Sequence, residues 1–244
     1  MNLDVFDKHK KIKVEIKSVT KPYVCTYCGN GYTKESTLAV HMCEQKRRHL
    51  AKSEKHVMLG YQTYTRFFQL TQKAKHVKTY DEFAKSPYYN AFVKFGSFLS
   101  NVNPLYLDRY IDYVVTSGVK LDHWCREELY YAYVLDLVKR EPAETALERS
   151  ISTMVEWSLA NNSVWNHYFK YVTPTRAVYD IKDGKVSPWL VLNAPSGVNM
   201  LNKLNDEQLS MIFEVMDPNH WGKRFKNYPA DLELVKTVVK EAGL

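Results

Sequence analysis

The sequence has little that would place it outside the soluble, intracellular class. Its 244 residues include only four cysteines, too few for a disulfide scaffold. The chain begins Met-Asn-Leu-Asp, with no apolar secretory segment. No apolar run approaches the roughly 18 residues that would span a bilayer, so no membrane association is expected. There is no repeat or low-complexity segment. Signatures of catalysis are equally scarce: no glycine-rich phosphate loop, serine elbow or His-Glu-x-x-His pair occurs, and no small-molecule substrate is evident. Glu127 and Glu128 are neighbours in sequence, so on a helix they point to different faces and form no acid/base pair. The expectation is a non-enzymatic protein. A nuclease whose acidic ligands are dispersed through the body is the third reading, after two binding roles argued below.

What the chain does contain is a localised excess of positive charge. The net charge of +7 divides into +10 over residues 1 to 80 and −3 over residues 81 to 244. Clustered lysine and arginine gain affinity for polyanions by displacing counterions from phosphates, so the basic third points to DNA or RNA. Within it, residues 10 to 17 alternate apolar and charged side chains at period two. That stretch reads as a short strand or arm carrying Lys10, Lys11 and Lys13.

Chemistry concentrates between residues 23 and 49, where Cys25-x2-Cys28-x12-His41 has the spacing of three zinc ligands. Gly29 and Gly31 supply the turn between the thiolates and the next strand. Tyr23, Cys25, Cys28, Tyr32, Leu38 and His41 fill six of the seven places of a C2H2 zinc finger, which this module resembles. The seventh place departs from the pattern, because Gln45, Lys46 and Arg47 stand where a second histidine belongs. Two substitutes lie nearby. On a continuous helix His49 would lie about 12 Å beyond His41, too far for a bond of about 2 Å. Cys43 is close along the axis but roughly 200° around it, and reaches the ion if the helix unwinds just after His41. Cys43 is the preferred fourth ligand and His49 the alternative, giving a CCHC variant with zinc as its cofactor.

The family resemblance implies that base contacts would come from Lys34, Thr37 and Val40. Val40 offers only an apolar contact, and one finger covers about three base pairs. Backbone-dominated binding is therefore expected, with Lys46, Arg47 and Arg48 forming a cationic ridge after the metal. Single fingers also dock proteins, so an interaction adaptor is the leading rival.

The fold expected is mainly α: an N-terminal ββα finger, then a helical body with one β-hairpin near 177–193. Three units are anticipated, at 1–50, 51–171 and 172–244, the last packed on the second. Helical periodicity covers 57–70, and Thr79-Tyr80-Asp81-Glu82 reads as a capping box. Ser86-Pro87 and Asn103-Pro104 read as helix starts. Further helices are predicted at 87–101, 104–116, 121–140, 143–160, 197–204, 206–216 and 229–242. The Asp183-Gly184 turn between two apolar runs suggests the hairpin. His220 to Lys226, with three cations and two aromatics, reads as a loop and a candidate second nucleic-acid contact. Tyr88, Tyr89, Tyr130, Tyr131 and Tyr133 are expected in the core more than on bases, though each could stack on one. Ser187-Pro188-Trp189 and Asp217-Pro218-x-His220-Trp221 resemble segments of finger-headed proteins of large tailed phages. That likeness implies at most a viral accessory role in DNA replication, expression or packaging; separately, the helical body is a candidate surface for a protein partner.

Overall fold

The computed structural model describes residues 21–72 and 76–244, so the arm bearing Lys10, Lys11 and Lys13 lies outside the described residues. The chain opens with a two-stranded antiparallel hairpin, β1 (Tyr23–Val24) and β2 (Gly31–Tyr32), in register Tyr23 to Tyr32 and Val24 to Gly31. Two short helices follow, α1 (Glu35–Val40) and α2 (Glu44–Leu50). The body begins with α3 (Lys55–Gln72), α4 (Tyr80–Lys85), α5 (Tyr89–Val102), α6 (Leu107–Thr116) and α7 (Glu127–Arg140). It continues through α8 (Ala143–Asn161), α9 (Tyr168–Tyr171), α10 (Pro174–Lys182) and α11 (Pro188–Val191). The last elements are α12 (Pro195–Leu201), α13 (Asp206–Met216), α14 (Pro218–Asn227) and α15 (Pro229–Ala242).

Local sequence explains most starts. Thr79 accepts the amide of Glu82 while Glu82 reaches back to the Thr79 amide, a reciprocal cap for α4. Asn205 and Gln208 do the same for α13. Proline occupies the first turn of α10, α11, α12, α14 and α15, where a missing N–H costs nothing. Two expected starts are displaced. Ser86 accepts the Tyr88 amide ahead of α5, and Asn103, at φ 48°, terminates α5 instead of opening α6.

One cluster of buried side chains runs from Val57 to Leu244. In its first half, α3 and α5 touch backbone to backbone. A Cβ on Gly96 would lie 2.0 Å from the His56 carbonyl oxygen, and one on Gly60 would lie 2.7 Å from that of Phe92. This close crossing lets Tyr64, Phe67, Phe92 and Trp124 interlock edge to face around it. Of the tyrosines expected in the core, Tyr89 and Tyr133 are buried and Tyr130 and Tyr131 partly so, whereas Tyr88 is exposed.

In the second half, α8 packs against α11 and α15. The Arg149 guanidinium on α8 forms a buried ion pair with Glu141 and donates to the Gly184 carbonyl at 2.6 Å. Because both charges are out of water, losing either partner would strand the other.

The hairpin expected near 177–193 is absent, and two helices stand in its place. Thr173 caps α10, whose Ala177, Val178 and Ile181 are buried at helical spacing. Gly184 does adopt positive φ, at 72°, but its N–H returns to the Ile181 carbonyl and closes a helix end. An Asp-Gly pair satisfies either geometry, and burial of the α10 stripe decides between them. The segment from His220 to Lys226 is likewise helical, within α14, with Trp221 buried and its indole N–H donating to the Val215 carbonyl at 2.7 Å. Arg224 in that segment points inward and donates to the Glu141 carbonyl, which makes the segment part of the core packing.

The glycine crossing yields a paired test. Gly96→Ala should lower unfolding free energy by about 3 kcal/mol, the upper end for overpacking, because the clash is with backbone that cannot rotate away. Gly222→Ala, where an added methyl meets nothing within 4 Å, should raise it by about 0.5–1 kcal/mol. Urea midpoints at constant slope would measure both.

Candidate metal centre and its anchor

The N-terminal module has almost no apolar interior. Of residues 21 to 50 only Cys25 is buried, and neither α1 nor α2 contains a buried residue. Something other than hydrophobic burial must hold it together. At its centre the Sγ atoms of Cys25, Cys28 and Cys43 and a ring nitrogen of His41 all lie within 4.8 Å of one another.

Each ligand is placed by local backbone chemistry. In the turn after β1 the Gly29 N–H donates to the Cys25 carbonyl at 2.8 Å, with Gly29 at φ 74°, and the Cys25 N–H donates to the Asn30 carbonyl at 2.9 Å. This knuckle folds Cys28 back beside Cys25. His41 ends α1 with extended torsions, φ −66° and ψ 121°, so the helix breaks where the sequence required. The break swings Cys43 to the ion-facing side. There it caps α2, its sulfur accepting the Lys46 N–H at 3.4 Å.

The spacing fits a tetrahedral ion. Zinc bonds of about 2.3 Å to sulfur and 2.0–2.1 Å to nitrogen place sulfurs about 3.8 Å apart, and sulfur about 3.6 Å from nitrogen. The Cys25 and Cys43 sulfurs are 4.0 Å apart, and the Cys28 sulfur lies 3.4 Å from His41 Nε2. The other ring nitrogen is already engaged. Nδ1 of His41 is 2.8 Å from the Tyr32 hydroxyl, an outer contact that fixes the ring with Nε2 facing the sulfurs.

Electrostatics also favour a cation. Cys25 is lowered from its usual value, chiefly by the backbone amide of Cys28. The Asn30 amide lowers Cys28 too, but burial and its sulfur neighbours outweigh it and raise that thiol. Three thiolates at this separation repel one another, and a divalent ion among them removes the conflict. None of the four cysteines forms a disulfide.

His49, the alternative ligand, lies elsewhere. Both of its ring nitrogens face acceptor oxygens, Nδ1 2.8 Å from the Gln45 carbonyl and Nε2 2.9 Å from Asp81 Oδ1 on α4. That hydrogen bond holds the Asp81 carboxyl below its ordinary range. Beside it, the Arg48 guanidinium donates to the Ala84 carbonyl at 2.6 Å and to that of Ser86 at 3.3 Å. It also pairs with Glu44 and covers the Tyr89 ring at 4.3 Å. Tyr80 returns a hydrogen bond to the Arg48 carbonyl. One face of α2 is thus fastened to α4 and the start of α5.

The cations expected to form a single ridge are therefore divided. Arg48 faces the body. Lys46 lies partly buried, its ammonium donating to the His41 carbonyl at 3.3 Å. Lys34, Thr37 and Arg47 are exposed, as are Lys21, Lys52 and Lys55. Among the described residues none of these five exposed cations has a carboxylate within 4.0 Å. Lys52 and Lys55 also border a cleft of about 1180 Å³ floored by Leu59, Tyr61 and Ile111. The inward anchor was not readable from spacing, since its partners lie more than 30 residues downstream.

No protein-family model, curated protein or solved structure matches the chain. The expected likeness to finger-headed phage proteins is not borne out by the comparisons, and both proline-tryptophan segments that suggested it have a local structural reason. Ser187 and Asp217 each cap a helix whose first turn holds a proline, and the tryptophans that follow, Trp189 and Trp221, meet with ring centroids 5.7 Å apart. Among the described residues no helix is long and apolar enough to cross a membrane.

Arg48→Ala should release α2 from the body at a cost of about 1.5–3 kcal/mol, the range for a hydrogen bond to a charged group. Amide exchange would rise across 23–50 and stay unchanged in α3 and α5. Arg47→Ala, at an exposed position, should shift stability by no more than about 0.5 kcal/mol.

Proposed function

We infer that the chain is a zinc-containing accessory protein that grips DNA or RNA through phosphate contacts of its N-terminal module. The reading rests on one observation above others: three sulfurs and an imidazole nitrogen converge at zinc-like separations in a module that lacks an apolar core. Cys25, Cys28, His41 and Cys43 would hold the ion, and four protein ligands close its coordination sphere. A closed sphere leaves no open position for a water or substrate, so the ion would be structural and take no part in catalysis.

The nucleic-acid half of the reading draws on how the cations are sorted. With Arg48 committed inward, Lys34, Arg47, Lys52 and Lys55 remain on the surface without carboxylate partners, which suits phosphate. Sequence reading is not expected from one finger whose sixth helical position is Val40. The intracellular setting rests on the scarce cysteines, and the viral setting on the phage likeness alone.

An adaptor role has its own supporting observation. Val24, Val40 and Met42 are exposed by 51%, 80% and 49% within a module of some thirty residues. Apolar side chains gathered on so small a surface suit a protein partner.

Elemental analysis should find one zinc per chain, retained in His49→Ala and lost or strongly weakened in Cys43→Ala; the reverse pattern would move the fourth ligand. The two binding roles separate in a salt titration with a mixed-sequence oligonucleotide. Phosphate binding predicts a steep fall in affinity with salt, and Lys34→Glu with Arg47→Glu should reduce the log–log slope by about 2, near 0.9 per lost contact. No binding at 50 mM salt, together with a partner lost in Val40→Asp, would establish the adaptor instead.

A further inference from the structure

Far from the metal centre, α7, α10 and α13 enclose a cleft of about 1090 Å³. Three large apolar side chains stand at its rim with much of their surface in water: Tyr179 at 50%, Leu209 at 40% and Phe213 at 62%. Single exposed apolar residues are ordinary, but three around one concavity form a patch. Leu209 and Phe213 are one helical turn apart on α13, so they present a common edge. Tyr131 and Val134 of α7 contribute to the floor.

Charge around this cleft is strongly one-sided. Glu127 and Glu128 come from α7, Asp206 and Glu214 from α13, and Asp183 from the end of α10. Among the described residues Lys182 and Lys185 are the only cations lining it. Among the described residues none of the five carboxylates has a cation within 4.0 Å. Such an arrangement leaves the protein a negative field over an apolar floor. Burial and then the Glu214 charge push the Tyr131 hydroxyl up to about 12, consistent with that field.

We propose that this cleft docks a cationic amphipathic helix of a partner protein. The partner's apolar side chains would cover Leu209, Phe213 and Tyr131, while its lysines or arginines would meet the five carboxylates. Opposite charge at the rim selects the partner and speeds encounter, while apolar burial supplies most of the affinity. The groove suits a short segment, since α13 is 11 residues long and spans about 16 Å, or three turns of a facing helix. The protein's own finger does not cover it, because α2 is fastened to α4 and, among the described residues, none before Val102 lines the cleft.

Fluorescence anisotropy with the full chain tests this, using a labelled 14-residue leucine/lysine peptide patterned as an amphipathic helix and a leucine/glutamate peptide of the same pattern. The lysine peptide should bind, weakening at least tenfold in Phe213→Ser and again in the double variant Glu127→Lys/Glu214→Lys, and the glutamate peptide should not bind. Met58→Ser, in the cleft beside the finger, should leave binding unchanged. All four substituted residues are exposed, so the variants should keep the parent melting temperature. Equal binding of both peptides, or indifference to the Phe213 and charge-reversal variants, would overturn the proposal. So would sedimentation showing that the protein alone self-associates through Phe213, which would assign the cleft to a second copy.

Discussion

The hinge between α1 and α2 is the point on which the N-terminal half depends. A continuous helix through His41 would carry Cys43 away from the other sulfurs. The extended torsions at His41 bring it back, and the same sulfur then opens the next helix by accepting the Lys46 amide. Ligand and helix cap are one atom. With only Cys25 buried in the module, neither α1 nor α2 has apolar contacts sufficient to persist without that point of convergence.

From this hinge the order passes to the body. α2 presents Arg48 and His49 to α4, where two backbone carbonyls and Asp81 receive them, and the Tyr27 and Tyr80 rings close around His49 at 5.0 and 5.6 Å. Tyr80 in turn sits against Tyr61 and Phe83, at the edge of the aromatic cluster that fills the α3–α5 crossing. A chain of contacts thus runs from sulfur to the tightest packing in the molecule. Its weakest member is the exposed Asp81 carboxylate. Because that group's pKa is depressed in the folded state, its contribution is present above the ordinary carboxylate range and fades as pH falls below it.

Legibility in the sequence followed the range of the interactions. Cys25, Cys28 and His41 were readable because their relation depends on one turn and one helix. Cys43 followed from axial reach, and the predicted unwinding is present at the required residue. The capping box at Thr79 located α4, and the predicted 206–216 matches α13 at both ends, with the Asn205 cap seen only in the structure. The failures share a cause. Asp183-Gly184 and the His220 to Lys226 segment each admit two local conformations, and the choice is made by distant surfaces: the core beneath α10, and Trp189 against Trp221. The inward turn of Arg48 was hidden for the same reason, as a basic helix end reads alike whether it faces water or a carbonyl pair.

The fastening of α2 has a mechanical meaning. Cys43 and Arg48 are five positions apart, about 7.5 Å of helical rise, and both ends of that short strut are fixed. A strut so brief allows neither swivel nor stretch. The module is mounted on the body like a bracket. The surface that the module presents to solvent therefore keeps a set bearing to the helices on which α2 is fastened.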